Sequence, residues 1–124
     1  MVKVTLPIYG VAKGAISLNW YRNAHYQVSN SAKKKFKRMI LDQLNELPVF
    51  DGKISIHYDY YAKANNSPDL DNFIAVAKKF FQDALVECGK LEDDNVNFIV
   101  SNSESYKGID KKAPRVEAFI ELNL

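Results

Sequence analysis

Apolar residues recur with helical spacing in two segments of the chain. The first segment begins after the capping residues Ser29–Ser31 and ends before Pro48. Its apolar positions are Phe36, Met39, Ile40, Leu44 and Leu47. The second segment extends from Phe73 to Cys88 and is closed by Gly89. Its apolar positions are Phe73, Val76, Ala77, Phe80, Ala84 and Leu85. The pattern predicts two amphipathic helices.

Between these helices the chain alternates with a period of two, which predicts a strand with two different faces. One face carries Ile54, Ile56, Tyr58 and Tyr60, and the other carries Ser55, His57, Asp59 and Tyr61. Further strands are expected at Lys3–Pro7, Asn97–Val100 and Val116–Leu122, with loops at 10–30 and 101–114. The order β-α-β-α-β-β predicts a single α+β domain over residues 1–124, with two helices packed on a mixed sheet.

Composition narrows the class of protein. No stretch of the sequence approaches the ~20 apolar residues that span a bilayer, so no membrane segment is expected. The first residues lack the charged, apolar and small-residue regions that follow one another in a signal peptide, so we expect a cytoplasmic protein. Cys88 is the only cysteine, so no internal disulfide is expected.

Charge is distributed unevenly along the chain. Residues 1–68 contain ten Lys and Arg against four Asp and Glu, whereas residues 69–124 contain seven against eleven. A basic segment can contact the phosphates of nucleic acid, although random variation on a solvated surface explains the asymmetry equally well. The cationic residues expected to contact a DNA backbone are Lys13, Arg22, Lys33, Lys34, Lys35, Lys37 and Arg38.

The carboxylates of Asp69 and Asp71 are candidate metal ligands. They lie two residues apart where a loop becomes a helix, so in an extended segment both project to the same side. Either residue alone is equally well explained as a helix cap. An EF-hand is excluded because Ile74 and Phe80 occupy the positions that need Gly and Glu. Oxygen ligands without His or Cys favour Mg²⁺, with Mn²⁺ as a substitute.

A third carboxylate would come from Glu92, Asp93 or Asp94, in the connection that follows Gly89. The alternative is that this acidic segment is an exposed turn. His25 and His57 have no partner at the spacing of metal ligands and are interpreted as structural. Trp20 and Tyr21 lie in a loop where they would either stack on unpaired bases or pack in the protein.

Three motifs in order resemble the signature of RusA-type Holliday-junction resolvases, small endodeoxyribonucleases common in phages and prophages. They are Pro-Asp-Leu-Asp-Asn at 68–72, Asp-Ala-Leu at 83–85 and, after Gly89, Glu-Asp-Asp-Asn at 92–95. The resemblance implies a RusA-like fold and a homodimer that binds a four-way DNA junction. It also implies Mg²⁺-dependent paired, symmetric nicks, in recombination, repair or phage DNA processing.

The resemblance also implies roles for individual residues. The catalytic, metal-binding aspartates correspond to Asp69 and Asp71, and the third corresponds to Asp94, or to Asp93 when the motif is counted from Val96. The essential lysine corresponds to Lys79, although Lys78 lies closer to the helical angle of Asp71, at about 20° against about 80°. Two other classes stay open: a broader branch- or flap-specific nuclease, and a DNA-binding protein without enzymatic activity.

Overall fold

A computed structural model describes residues 1–65 and 70–122. In those residues it shows an α+β fold with four helices and a four-stranded mixed sheet. The elements in chain order are β1 (Val2–Pro7), α1 (Leu18–Asn23), α2 (Tyr26–Met39), α3 (Leu41–Asn45), β2 (Ile54–Ala62), α4 (Leu70–Glu87), β3 (Ile99–Ile109) and β4 (Arg115–Leu122).

The sheet has the strand order β1-β4-β2-β3. β4 pairs antiparallel with both β1 and β2, whereas β2 and β3 are parallel. Parallel neighbours need a long crossover, and α4 supplies it. Because β2 and β3 begin at the same end of the sheet, α4 returns the chain from the end of β2 to the start of β3.

One face of the sheet forms the core with α2 and α4. The alternation in β2 buries Ile54, Ile56, Tyr58 and Tyr60, as the sequence predicts. Aromatic rings of the core pack against one another. Phe36 packs edge-on against Phe80 with 5.6 Å between ring centroids, and Phe73 stacks on Tyr60 with 5.3 Å between centroids. This packing fixes α4 on the sheet. In the described part of the chain, no helix is long and apolar enough to cross a membrane.

The predicted α+β class with a mixed sheet is confirmed, but the element order is β-α-α-α-β-α-β-β. The first predicted helix begins earlier, at Tyr26, and is divided at Ile40, whose φ of −107° and ψ of 7° leave the helical region. The segment expected to be a loop contains α1. This short helix begins where the Ser17 hydroxyl accepts a hydrogen bond from the Trp20 N–H at 3.1 Å.

The polar stretch expected to be irregular after residue 100 is instead most of β3, which pairs along the whole of β2. The register shifts by one residue near each end of the pair, at Ser55 and at Tyr61. A polar sequence is compatible with a strand here because β3 lies at the edge of the sheet, where many of its side chains contact solvent.

Candidate metal centre and nucleic-acid interface

Asp69 lies outside the described residues, and Asp71 occupies the first turn of α4 with an exposed side chain. The neighbouring Asn72 Oδ1 accepts a hydrogen bond from the backbone N–H of Asn19 at 3.2 Å. This N–H belongs to the first turn of α1, so Asn72 satisfies a group of α1 rather than of its own helix. The contact holds the start of α1 against the start of α4.

Asp93 and Asp94 lie in an exposed connection after the other end of α4. The Asp93 carboxylate is used locally: it accepts hydrogen bonds from the Asp94 N–H at 2.7 Å and from Asn95 Nδ2 at 3.1 Å. Asp93 therefore stabilises its own turn, whereas Asp94 and Glu92 are exposed carboxylates beside it.

The structure does not bring Asp71 together with Asp93 or Asp94 in one chain. An 18-residue helix is about 27 Å long, and α4 places Asp71 before this length and the acidic connection after it. The connection is fixed at the start of β2, because the Ile54 N–H donates to Phe98 O at 2.8 Å. Among the described residues, no group of three Asp, Glu, His or Cys side chains is placed to hold a metal ion.

The two candidate lysines have different carboxylate partners, one on β3 and one on α4 itself. Lys78 Nζ lies 3.0 Å from Glu104 Oε1 on β3. Lys79 is more exposed, and its Nζ lies 3.8 Å from Asp83 Oδ2. Both follow Asp71 by about two helical turns, or roughly 11 Å along the axis. Each lysine thus has a carboxylate partner in the described structure other than Asp71.

The basic segment of α2 divides into two groups. Lys33 Nζ lies 2.9 Å from Asp83 and 3.4 Å from Glu87, and Lys37 Nζ lies 3.1 Å from Glu87. The hydrogen bond to Asp83 outweighs partial burial and raises the pKa of Lys33. These two predicted DNA contacts therefore join α2 to α4.

The second group remains accessible. Lys34, Lys35 and Arg38 are exposed on α2, and Lys35 and Arg38 line a groove of about 460 Å³ together with Lys13. The groove lies between α2 and the loop that precedes α1, and Val11 and Val28 contribute apolar surface. Arg22 is exposed in the last turn of α1. The structure thus brings three of the predicted DNA contacts into one cationic groove.

The loop of residues 9–16 connects this groove with the end of β2. Lys13 of the loop lines the groove, while the Tyr9 ring contacts Lys63 Nζ at 4.8 Å from its centroid. Lys63 directly follows β2, and from there the chain continues toward Asp71. The loop therefore joins the groove to the end of β2, and it leads into α1, whose Asn19 contacts Asn72 at the start of α4.

A polar network on the opposite face of the sheet was missed by the sequence analysis. His57 Nδ1 lies 2.6 Å from Ser103 Oγ, and His57 Nε2 lies 2.7 Å from Asp59 Oδ1. Ser105 Oγ donates to the same Asp59 oxygen at 2.6 Å. The signal was present, because residues two apart on a strand share a face. The partners from β3 could be found only once the register was known.

The network explains how a carboxylate is stabilised on this face. Asp59 is buried, with 6% of its surface exposed. Burial acts to raise the pKa of the Asp59 carboxyl, but hydrogen bonds from Ser105 and His57 outweigh it and hold the pKa below its usual value. In this arrangement His57 therefore helps to hold the Asp59 carboxylate in place.

We expect Asp59→Asn to destabilise the fold in a pH-dependent way. A carboxyl with a lowered folded-state pKa stabilises the fold above its unfolded pKa of about 3.9 and loses this contribution as pH falls through the folded value. Urea unfolding should show a loss of about 1–3 kcal/mol at pH 7 that narrows below about pH 4. The exposed Asp51→Asn is the control, and a deficit for Asp59→Asn that is constant with pH would contradict this assignment.

Comparison with known proteins does not assign the chain to a family, because no family model and no curated protein matches it. The resemblance of residues 68–95 to the resolvase signature therefore stays a resemblance carried by those motifs. The function has to be argued from the residues and their arrangement.

Proposed function

We propose that this chain is a Mg²⁺-dependent endonuclease that resolves four-way DNA junctions by paired nicks, as the resolvase-like motifs imply. The observation that carries the proposal is the shared loop of residues 9–16. This loop lines the cationic groove through Lys13 and contacts the end of β2 through Tyr9. A DNA backbone in the groove would therefore lie near the loop that contacts the end of β2, after which Asp69 and Asp71 follow in the sequence.

The carboxylates near the start of α4 fit a hydrated Mg²⁺ ion. Mg²⁺ is commonly bound through one or two carboxylates, several waters and a substrate phosphate rather than by a complete protein cage. The exposed Asp71 offers such a ligand, and Asp69 is two residues away in the sequence. When bound, Mg²⁺ would supply an acidified water and charge neutralisation at the scissile phosphate.

The protein residues have separate roles in this scheme. Asp71 would hold the cation at the start of α4, and Asp69, two residues earlier in the sequence, would be the second carboxylate ligand. Lys13, Lys35 and Arg38 bind the backbone and set its position without reading sequence. Lys79, the lysine that the resemblance implies, lies about two turns from Asp71, and its ammonium would reach a phosphate only by leaving its 3.8 Å contact with Asp83.

Asp94, the third metal ligand that the resemblance implies, could bind the same cation as Asp71 only if it came from another copy of the chain. Asp94 and Asp71 lie at opposite ends of α4 in one copy. In a twofold dimer with the two α4 helices antiparallel, the start of one helix lies beside the end of the other. The proposed homodimer would thus form two equivalent sites, each with Asp71 from one copy and Asp94 from its partner.

Two alternatives make different predictions. A branch- or flap-specific nuclease would use the same carboxylates with a wider choice of substrate. In a DNA-binding protein without activity, Asp71 would only stabilise the positive end of α4, as acidic residues in a first helical turn do. A synthetic four-way junction, a flap and a replication fork, each incubated with Mg²⁺, separate these three possibilities.

We expect Asp71→Asn to reduce cleavage of a four-way junction by at least about 100-fold, because even residues that only support a metal ligand cost up to that factor when they are changed. Binding of the junction, measured by gel shift in Ca²⁺, should persist or tighten because a negative charge is removed. Asp42→Asn on α3 is the matched control. Full activity of Asp71→Asn would exclude it as a metal ligand.

Mixing two inactive variants tests the shared site. If each site combines Asp71 of one copy with Asp94 of the other, Asp71→Asn and Asp94→Asn chains unfolded and refolded together form mixed dimers with one intact site. Random pairing then restores about a quarter of the wild-type sites. If one copy supplied both ligands, every site in the mixture would be defective. The absence of any recovery, with mixed dimers detected by a tag, would contradict the shared site.

The salt dependence of DNA binding tests the groove. Each phosphate contact contributes about 0.9 to the slope of log K against log salt. We therefore expect Lys35→Ala with Arg38→Ala to reduce this slope by about two. The control is Lys33→Ala with Lys37→Ala, which removes the same charge from α2 at residues that pair with α4 and do not line the groove. This double variant should lower the melting temperature and leave the slope nearly unchanged. Equal slopes for the two double variants would contradict the assignment.

A further inference from the structure

A cavity of about 450 Å³ lies between α1, α2 and α4, apart from the cationic groove. Its aromatic surface comes from Tyr21, Tyr26 and Phe80. Ser29 and Asn30, on the first turns of α2, supply polar groups. The cavity therefore combines flat aromatic surface with hydrogen-bonding groups, on three elements that the core holds in place.

Tyr26 is the unusual member of this cavity. It is 71% exposed although it is aromatic, and its ring lies 4.9 Å from the ring of the preceding His25. Tyr21 is partly buried and meets Phe80 edge-on at 6.2 Å between centroids. One wall of the cavity is thus anchored in the core, while the other is a large ring kept in solvent.

The lysines of the cavity do not make it an anion site. Lys33 and Lys79 both lie near Asp83, at 2.9 and 3.8 Å, and Lys33 also contacts Glu87 at 3.4 Å. Two cations and two carboxylates leave this rim close to neutral. A phosphate would compete with existing ion pairs here, whereas a neutral aromatic group would not.

We propose that this cavity binds an unpaired nucleobase of branched DNA, stacked against Tyr26. The inference rests on the proposed nuclease function, and it explains how the protein would distinguish branched DNA from duplex DNA. Stacking on aromatic side chains accepts any base, because every base has a flat face. The Asn30 amide presents both a donor and an acceptor to a base edge, and it needs no particular base.

The position of the cavity along α4 is compatible with this role. Lys79 follows Asp71 by eight residues, or about 12 Å along the helix axis. At roughly 3.4 Å per stacked nucleotide, this corresponds to three or four nucleotides. A phosphate that contacts a cation held by Asp71 would therefore place a base near the branch point at the cavity.

The test measures binding to two DNAs that differ in a single unpaired base. One is a duplex with a one-nucleotide 2-aminopurine bulge, and the other is the same duplex fully paired, both with Ca²⁺ in place of Mg²⁺. We expect Tyr26→Ala to weaken bulge binding roughly tenfold, as loss of one stacking ring does, and to leave duplex binding unchanged. Tyr26→Phe keeps the ring and should bind like the wild type. Tyr106→Ala, at an exposed tyrosine on β3, is the matched control.

Each outcome has a separate meaning. Quenched 2-aminopurine fluorescence with the wild type, restored by Tyr26→Ala, supports stacking in the cavity. Equal bulge affinity of Tyr26→Ala and the wild type overturns the cavity assignment but leaves junction cleavage as proposed. If the wild type binds neither DNA but still cuts a four-way junction, the cavity assignment fails alone; if it also leaves the junction uncut, the proposed function and the base-binding cavity fail together.

Discussion

The parallel pairing of β2 with β3 is the constraint on which the rest of the structure depends. Parallel neighbours cannot be joined by a tight turn, so the chain must cross the full length of the sheet between them. α4 makes this crossing and packs on β2 through Phe73, which stacks on Tyr60, and through Gln82, whose amide donates to the Tyr58 hydroxyl at 3.0 Å. The length and direction of α4 then decide which acidic residues can meet.

The same helix also decides which cations remain available. Asp83 and Glu87, near the end of α4, pair with Lys33 and Lys37 of α2, so these lysines contribute to packing. Such partly exposed pairs contribute modestly to stability, but two of them orient α2. The other side of α2 then presents Lys35 and Arg38 to the groove. A run of basic residues on one helix thus has two roles, separated by helical angle.

Sequence alone was sufficient where periodicity was strong. The alternation of β2 and the apolar face around Phe80 predicted an α+β fold with a mixed sheet, because burial of one face determines both patterns. α1 was missed because six residues give too little periodicity, and its start depends on Ser17 and on a distant contact with Asn72. β3 was cut short because its polar residues form an exposed edge, which resembles a loop in sequence.

Less of the candidate site than of the fold could be predicted from the sequence. Side chains close in sequence could be grouped, and Asp69 with Asp71 remains the pair that chemistry favours. Residues brought together by register could not be grouped, which is why the partners of His57 on β3 were not anticipated. The separation of Asp94 from Asp71 likewise depends on the direction of α4, which the sequence leaves open.

This separation gives the proposed dimer a chemical reason. A monomer of this fold holds its conspicuous acidic segments at opposite ends of one helix, so repulsion between them is small and no three-carboxylate site is formed in the described residues. Association of two copies with antiparallel α4 helices would bring like charges together, which costs free energy unless a divalent cation binds between them. Cation binding and dimer formation would then be coupled, and each copy alone would be inactive. If the protein makes two symmetric nicks, as proposed, such coupling would ensure that one site forms only together with the other.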